Sequence, residues 1–211
     1  MTDETIRQAP FASAPPETPA VRLAGRYRVI ALLGAGGMGS VYRAYDEELG
    51  EEVAIKMLLA RPLSGSSELE SFRNEVRLAR KVSHPNVARI FDIGTHDGTR
   101  FLSMELVIGE SLRRLLARER HLDPGRARAI ALDVIRGLGA IHAAGVVHRD
   151  LKPDNVLVAE RGAKIADFGI ALEAGAAVAD VTGTPGYMPP EQASGARVDA
   201  RADLYALGLV L

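Results

Sequence analysis

The 211-residue chain has no cysteine and no tryptophan, and its aromatics are five tyrosines and five phenylalanines. Without thiols there is no disulfide framework and no thiolate metal site, which suits a reducing compartment. Its five histidines show no zinc-type spacing. Neither sign of charge dominates: 26 basic against 27 acidic residues leave a net charge of -1. That removes any bulk electrostatic case for nucleic acid or an anionic membrane as partner. No apolar run approaches the ~20 residues that span a bilayer, and residues 1–24 lack the apolar stretch of a signal peptide. The default address is therefore cytoplasmic, with no membrane segment in the chain. What is present is ordinary for a globular protein, 47% hydrophobic and 25% charged. The length allows one large domain or two lobes.

Residues 1–25 carry Pro10, Pro15, Pro16 and Pro19 among few large apolar groups. Such a segment buries too little surface to offset ordering, so it reads as a disordered leader. From Arg26 the pattern changes. Tyr27 to Leu33 and Val41 to Tyr45 read as strands flanking the glycine-rich turn Gly34-Ala35-Gly36-Gly37-Met38-Gly39-Ser40. The glycines match G-x-G-x-x-G, but a dinucleotide-binding fold would continue into a helix, and this chain continues into a strand. Read as a turn, the stretch is unremarkable chemistry. Read functionally, its missing Cβ atoms let backbone N–H groups approach phosphates.

A third strand, Glu52 to Leu58, alternates Val53, Ile55 and Met57 with Ala54, Lys56 and Leu58. Lys56 thus shares a face with apolar neighbours, and a lysine there needs an anionic partner. The helix expected over Ser67 to Val82 offers Glu75, beside the apolar stripe Phe72, Val76 and Ala79. Lys56 and Glu75 are the natural pair. Two further strands, near Val87 to Gly94 and Arg100 to Glu105, surround the turn Thr95-His96-Asp97-Gly98. After the connector 106–110, helices dominate. Ser111 to Arg118 is short and amphipathic, and Asp123-Pro124 opens a longer helix that Gly145 stops. Strands before Glu105 and helices after it argue for two lobes with a cleft between them.

The densest chemistry lies in His148-Arg149-Asp150-Leu151-Lys152-Pro153-Asp154-Asn155, with Asp167-Phe168-Gly169 beginning twelve residues after Asn155. Between them, Val156 to Ala159 and Ala163 to Ala166 form a hairpin about Glu160-Arg161-Gly162. Folding the chain back lets Asp150, Asn155 and Asp167 converge. Oxygen donors so placed suit a hard cation such as Mg²⁺, and a further carboxylate suits a proton acceptor. Asp and Asn are also common turn formers; the ordered set of motifs favours the chemical reading.

That set resembles the signature of bacterial eukaryotic-like (Hanks-type) serine/threonine protein kinases, from about Arg26 to Leu211. The resemblance implies an α+β, bilobal fold: an antiparallel-sheet N-lobe with one main helix over 26–105, a hinge at 106–110 and a mostly helical, incomplete C-lobe over 111–211. It implies that Gly34, Gly36 and Gly39 cover the ATP phosphates and that Val41, Ala54 and Leu157 clamp adenine. Lys56, held by Glu75, would bind the α- and β-phosphates. Met104 would be the gatekeeper, with Glu105 and Val107 offering backbone bonds to the base. Asp150 would orient the acceptor hydroxyl and accept its proton, and Lys152 would stabilise the transferring phosphoryl group. Asn155 and Asp167 would hold Mg²⁺, or Mn²⁺ in its place. Thr184 would pack near Asp150, while His148 and Phe168 would be packing residues. The substrates implied are proteins with Ser or Thr acceptors, the chain itself among them. The alternatives are a nucleotide-binding pseudokinase or scaffold, an inactive fragment, or a small-molecule phosphotransferase, which would generally lack Lys152 and the Gly183 to Glu191 platform.

Three departures from the family pattern stand out. Leu172 occupies a position where a second basic residue often assists Arg149 in binding a phosphate on the loop. Thr182 is the candidate for that phosphate, and the expectation is that phosphorylation activates the chain less than usual. Pro189-Pro190-Glu191 replaces A-P-E. A typical domain has roughly 250 residues or more, so a chain ending at Leu211 is expected to be a poorly stable fragment. The apolar helix from Asp203 would otherwise be a buried axis.

Overall fold

The computed structural model describes residues 21–36, 39–58, 66–167 and 184–211. The leader to residue 20, together with Phe168, Gly169, Leu172, Thr182 and Gly183, lies outside the described residues, as does the side chain of Phe72.

Six strands form one antiparallel sheet: β1 (Arg22–Leu23), β2 (Tyr27–Gly36), β3 (Gly39–Asp46), β4 (Glu51–Leu58), β5 (Ile90–His96) and β6 (Thr99–Glu105), in the order β1-β2-β3-β4-β6-β5. The turn between β5 and β6 places Asp97 and Gly98 at φ 47° and 76°, the left-handed pair that matches the twist of a two-residue hairpin. The leader predicted for 1–25 is corrected at Arg22 and Leu23. Arg22 and Leu23 pair with Arg28 and Tyr27, and Leu23 is buried. Burial of one leucine and the turn at Ala24-Gly25 draw these residues onto the sheet.

The alternation read in β4 sorts its side chains between two cores. Val53 and Ile55 join Leu23, Tyr27, Ala44 and Phe101 on the outer face. Gly94 stands opposite Phe101 in the β5–β6 pair, where any Cβ would overlap the ring. Ala54 and Leu58 instead join the larger core, and Lys56 lies on their side of the strand, 3% exposed. A fully buried Ile or Phe contributes about 1.5–3 kcal/mol, so the outer cluster is enough to hold the short β1 against the sheet.

The larger core runs from the sheet and α1 (Ser66–Ala79) into the second lobe, through α2 (Leu112–Glu119) and α3 (Pro124–Ala143). Ser111 caps α2 by accepting the Arg114 N–H, and Asp123 caps α3 by accepting that of Arg126, with Pro124 in the first turn. Gly145, at φ 77°, lets the chain leave α3 through a left-handed residue. The hairpin β8 (Val156–Ala159) and β9 (Gly162–Ile165) lies on α3, and β7 (Gly109–Ser111) pairs with β8. The predicted hinge 106–110 is therefore shorter in structure, because Gly109 and Glu110 already belong to this second sheet.

The lobes are joined behind the cleft as well. The Asn86 carboxamide donates to the Ala163 carbonyl at 2.9 Å. The Ile165 N–H donates to the Asn86 carbonyl, and the Ala88 N–H to that of Ile165. Helix α4 (Pro190–Ala193) and α5 (Ala200–Val210) complete the described fold. The predicted α5 begins at Asp203, but the helix starts at Ala200, where Asp199 accepts the Arg201 N–H. It is buried along Ala202, Asp203 and Ala206 only, and Leu204, Tyr205 and Leu209 are exposed. The described residues therefore bury one side of this helix rather than making it an axis.

Candidate active site

The site begins with one carboxylate. Asp203 is 1% exposed and accepts three hydrogen bonds, from the His148 N–H at 2.8 Å, the Arg149 N–H at 2.8 Å and the His142 imidazole Nε2 at 2.7 Å. Those bonds hold Arg149 at φ 64°, a conformation unfavourable for a residue with a Cβ. The chain turns there and presents Asp150. His148 steadies the turn from inside: its Nδ1 accepts the Asp150 N–H, so Nε2 carries the proton and donates to the Ala166 carbonyl at 3.1 Å.

Around the Asp150 carboxylate stand a cation, an amide and a hydroxyl. Lys152 Nζ lies 2.8 Å from Oδ2, and the Asn155 amide nitrogen donates to the same oxygen at 3.0 Å and to the Asp150 carbonyl at 2.8 Å. Thr184 donates its hydroxyl to Oδ1 at 3.2 Å and accepts from Lys152 at 2.7 Å. Both side-chain hydrogen bonds of Asn155 among the described residues use its amide nitrogen, so the amide oxygen is the atom left for a cation. The Asn155 carbonyl accepts the Ala166 N–H at 2.8 Å, which ties Asn155 to the residue before Asp167. The hairpin thus brings the ends of both loops together.

The other wall is the sheet. Lys56 Nζ meets Asp167 Oδ1 at 3.0 Å across the cleft. Sequence reasoning gave Lys56 to Glu75; the pair given by the geometry is Lys56 with Asp167, while Glu75 meets Arg149 at 3.5 Å. The reason is local: the left-handed turns at Arg149 and Asp167, φ 64° and 60°, bring a guanidinium to α1 and a carboxylate to β4. Val41 faces Lys56 in the β3–β4 register, and Ala54 faces Met104 in the β4–β6 register. Leu157 is on β8, opposite Lys164. The Glu105 N–H donates to the Arg89 carbonyl, and its carboxylate meets Lys164 at 2.8 Å. Val107 lies in the unpaired stretch between β6 and β7.

Gly34 and Gly36 have open space where a Cβ would stand, whereas Gly39, at φ 124°, has the Met57 carbonyl there. The first two leave room for a ligand, and the third is needed by the strand itself. The donor set, an Asp carboxylate and an Asn amide oxygen beside a lysine and open glycines, fits a divalent cation and a polyphosphate.

Comparison decides what such a cleft belongs to. Residues 27–211 match the protein kinase domain model. The chain belongs to the protein kinase family. It is 42% identical over 203 residues to serine/threonine-protein kinase pkn3 of Myxococcus xanthus and 44% identical over 210 residues to the DNA damage-responsive serine/threonine-protein kinase RqkA of Deinococcus radiodurans. These alignments cover 90% and 93% of the chain but 37% and 30% of the relatives, so the chain spans about a third of their length. The crystal structure of the Mycobacterium tuberculosis PknI kinase domain superposes with a TM-score of 0.75 at 32% identity, covering 92% of this chain and 73% of that one. The kinase fold, with an antiparallel-sheet lobe and a helical lobe, is the fold read from the sequence. Family membership implies ATP and a divalent metal. Among the described residues no helix is long and apolar enough to cross a membrane.

Asp203, His142 and Gln192, whose side-chain amide donates to the Arg149 carbonyl at 3.0 Å, were not singled out from sequence. A usable signal existed for the first: one carboxylate opening the otherwise largely apolar run 203–211, which must be paired if its side of the helix is buried.

Proposed function

We propose that the chain is the catalytic domain of a serine/threonine protein kinase, transferring the γ-phosphoryl group of ATP to protein Ser and Thr hydroxyls, its own included. The observation that carries this reading is the Lys56–Asp167 contact across the cleft at 3.0 Å, set beside an Asp150 carboxylate already bonded to Lys152, Asn155 and a threonine hydroxyl. Lys56 would bind the α- and β-phosphates. Gly34, Gly36 and Gly39 would cover them, and Val41, Ala54, Met104 and Leu157 would enclose adenine against the backbone of Glu105 and Val107. Asn155 and Asp167 would hold Mg²⁺, which when bound neutralises phosphate charge.

The acceptor hydroxyl would bind where Asp150 can take its proton. As its oxygen bonds to the γ-phosphorus, the bond from that phosphorus to the bridging oxygen breaks and ADP departs. Lys152, held by Asp150 and Thr184, offsets charge on the transferring group. The protein therefore contributes orientation and fixed charge rather than a covalent intermediate. The lobes would run from Arg22 to Glu105 and from Gly109 to Leu211, working in the cytoplasm where ATP is available. A second reading, a nucleotide-binding scaffold, draws on the pairing of Glu75 with Arg149.

Transfer from γ-labelled ATP to a protein acceptor, by wild type and by Asp150→Asn, separates the two. The kinase reading expects label on Ser and Thr and a loss of roughly 10²–10⁴-fold in the variant. ATP binding without transfer by wild type would leave the scaffold.

A further inference from the structure

Helix α2 reaches both halves of the proposed acceptor site through one side chain that the catalytic reading does not use. Arg113 donates from Nε to Asp154 Oδ2 at 3.2 Å and from Nη2 to the Tyr187 hydroxyl at 3.3 Å. Its guanidinium also lies 5.8 Å from the centroid of the Tyr187 ring. Asp154 is in the 3₁₀ turn Pro153–Asn155, immediately before Asn155. Tyr187 closes the 3₁₀ turn Pro185–Tyr187, which follows Thr184, and its N–H donates to the Thr184 carbonyl at 2.9 Å. Both turns are short and are stabilised by little of their own. Asp150 and Thr184, the residues between which an acceptor would sit, are otherwise linked by one hydroxyl bond and by Lys152.

We infer that Arg113 is a positioning residue for the acceptor: it staples the turn that sets Asn155 to the turn that sets Thr184. The inference rests on the reading of Asp150 and Thr184 as the acceptor site. A planar guanidinium suits the task, because its fork can donate along two directions while its face rests on an aromatic ring. Lysine has neither the fork nor the flat face. Asp154 bonding holds the Arg113 pKa above its ordinary value, so the staple is charged at every physiological pH. Arg113 and Asp154 are about half exposed, at 49% and 46%, so the staple is modest in strength and open to an incoming peptide. It touches neither Lys56 nor Asp167, and Asn155 keeps its own bonds to Asp150 and to the Ala166 N–H, so its loss should spare the nucleotide side of the cleft.

The test compares wild type, Arg113→Ala, Arg113→Lys and Tyr187→Phe, with steady-state kinetics for an acceptor peptide and for ATP and with amide hydrogen exchange. In Arg113→Ala the acceptor KM should rise roughly five- to tenfold with the ATP KM unchanged. Exchange at the Tyr187 amide should quicken while that of the β4–β6 sheet does not. Arg113→Lys should recover only part of the loss. The double variant Arg113→Ala with Tyr187→Phe should lose less than the sum of the two single changes. An unchanged acceptor KM with unchanged exchange would overturn the inference, as would equal rises in both KM values. Should wild type transfer no phosphate, the exchange arm still decides: faster exchange confined to the Thr184–Gln192 region supports the staple while the kinase reading falls.

Discussion

Replacing Asp203 by alanine should dismantle from behind the loop that carries Asp150. The carboxylate is buried and accepts bonds from two backbone N–H groups and an imidazole at 2.7–2.8 Å. Alanine takes the acceptor from three donors, the His148 and Arg149 N–H groups and the His142 imidazole, each at a cost of about 1–3 kcal/mol. Arg149 no longer has a reason to stay at φ 64°, so relaxation of that turn returns about 1–2 kcal/mol. The balance is a loss of roughly 3–5 kcal/mol, in the range for breaking a buried charged network. For a chain of this size that is a fall in Tm of about 10–15 °C. Asp203→Asn, which keeps one acceptor oxygen, should lose about half as much. Urea denaturation of the three proteins measures the stability, and phosphate transfer by the asparagine variant reports on Asp150: kcat should fall more than the ATP KM changes. An alanine variant that melts within 2 °C of wild type, or an asparagine variant with full kcat, would refute the reasoning.

Other consequences follow from single contacts. The Arg26 guanidinium bonds the buried Asp46 carboxylate at 2.6 and 2.8 Å and holds its pKa below the ordinary carboxylate value. Asp46 therefore contributes stability above its unfolded pKa of about 3.9 and loses it as pH falls through the lower folded value; acid unfolding should be shallower in Asp46→Asn, and identical profiles would contradict this. Gly39→Ala forces a Cβ onto the Met57 carbonyl at φ 124°, so it should cost more than ~3 kcal/mol in urea melts. Ser103 buries its hydroxyl without a hydrogen-bond partner among the described residues, and Ser103→Ala should raise stability by ~0.5–1 kcal/mol in the same assay.

The parts of the fold that depend on near neighbours in sequence were legible. Alternation in β4 told which core each side chain joins, and Asp123-Pro124 marked a helix start by cap chemistry alone. The glycine turn and the two loops of the hairpin were legible because their residues carry chemistry at fixed spacing. Partners across the cleft were not. Both Glu75 and Asp167 could have neutralised Lys56, and the choice depends on the left-handed turns at Arg149 and Asp167, which no local pattern signals for residues other than glycine. Strand β1 was missed because two residues after a proline-rich run give no periodicity; pairing with Arg28 and Tyr27 and the burial of Leu23 hold them. The rear seam through Asn86 also joins segments 77 residues apart, with a carboxamide that looks like an ordinary turn former after His84-Pro85.

The central claim is that Lys56 and Asp167, which touch each other across the cleft, are the grips for a polyphosphate and its metal. Calorimetric titration of ATP with and without Mg²⁺ into wild type, Lys56→Met and Asp167→Asn tests it most directly. The account predicts Mg²⁺-dependent binding by wild type, at least tenfold weaker binding by Lys56→Met, and loss of the Mg²⁺ dependence in Asp167→Asn. Equal affinities for all three proteins, unaffected by Mg²⁺, would contradict it.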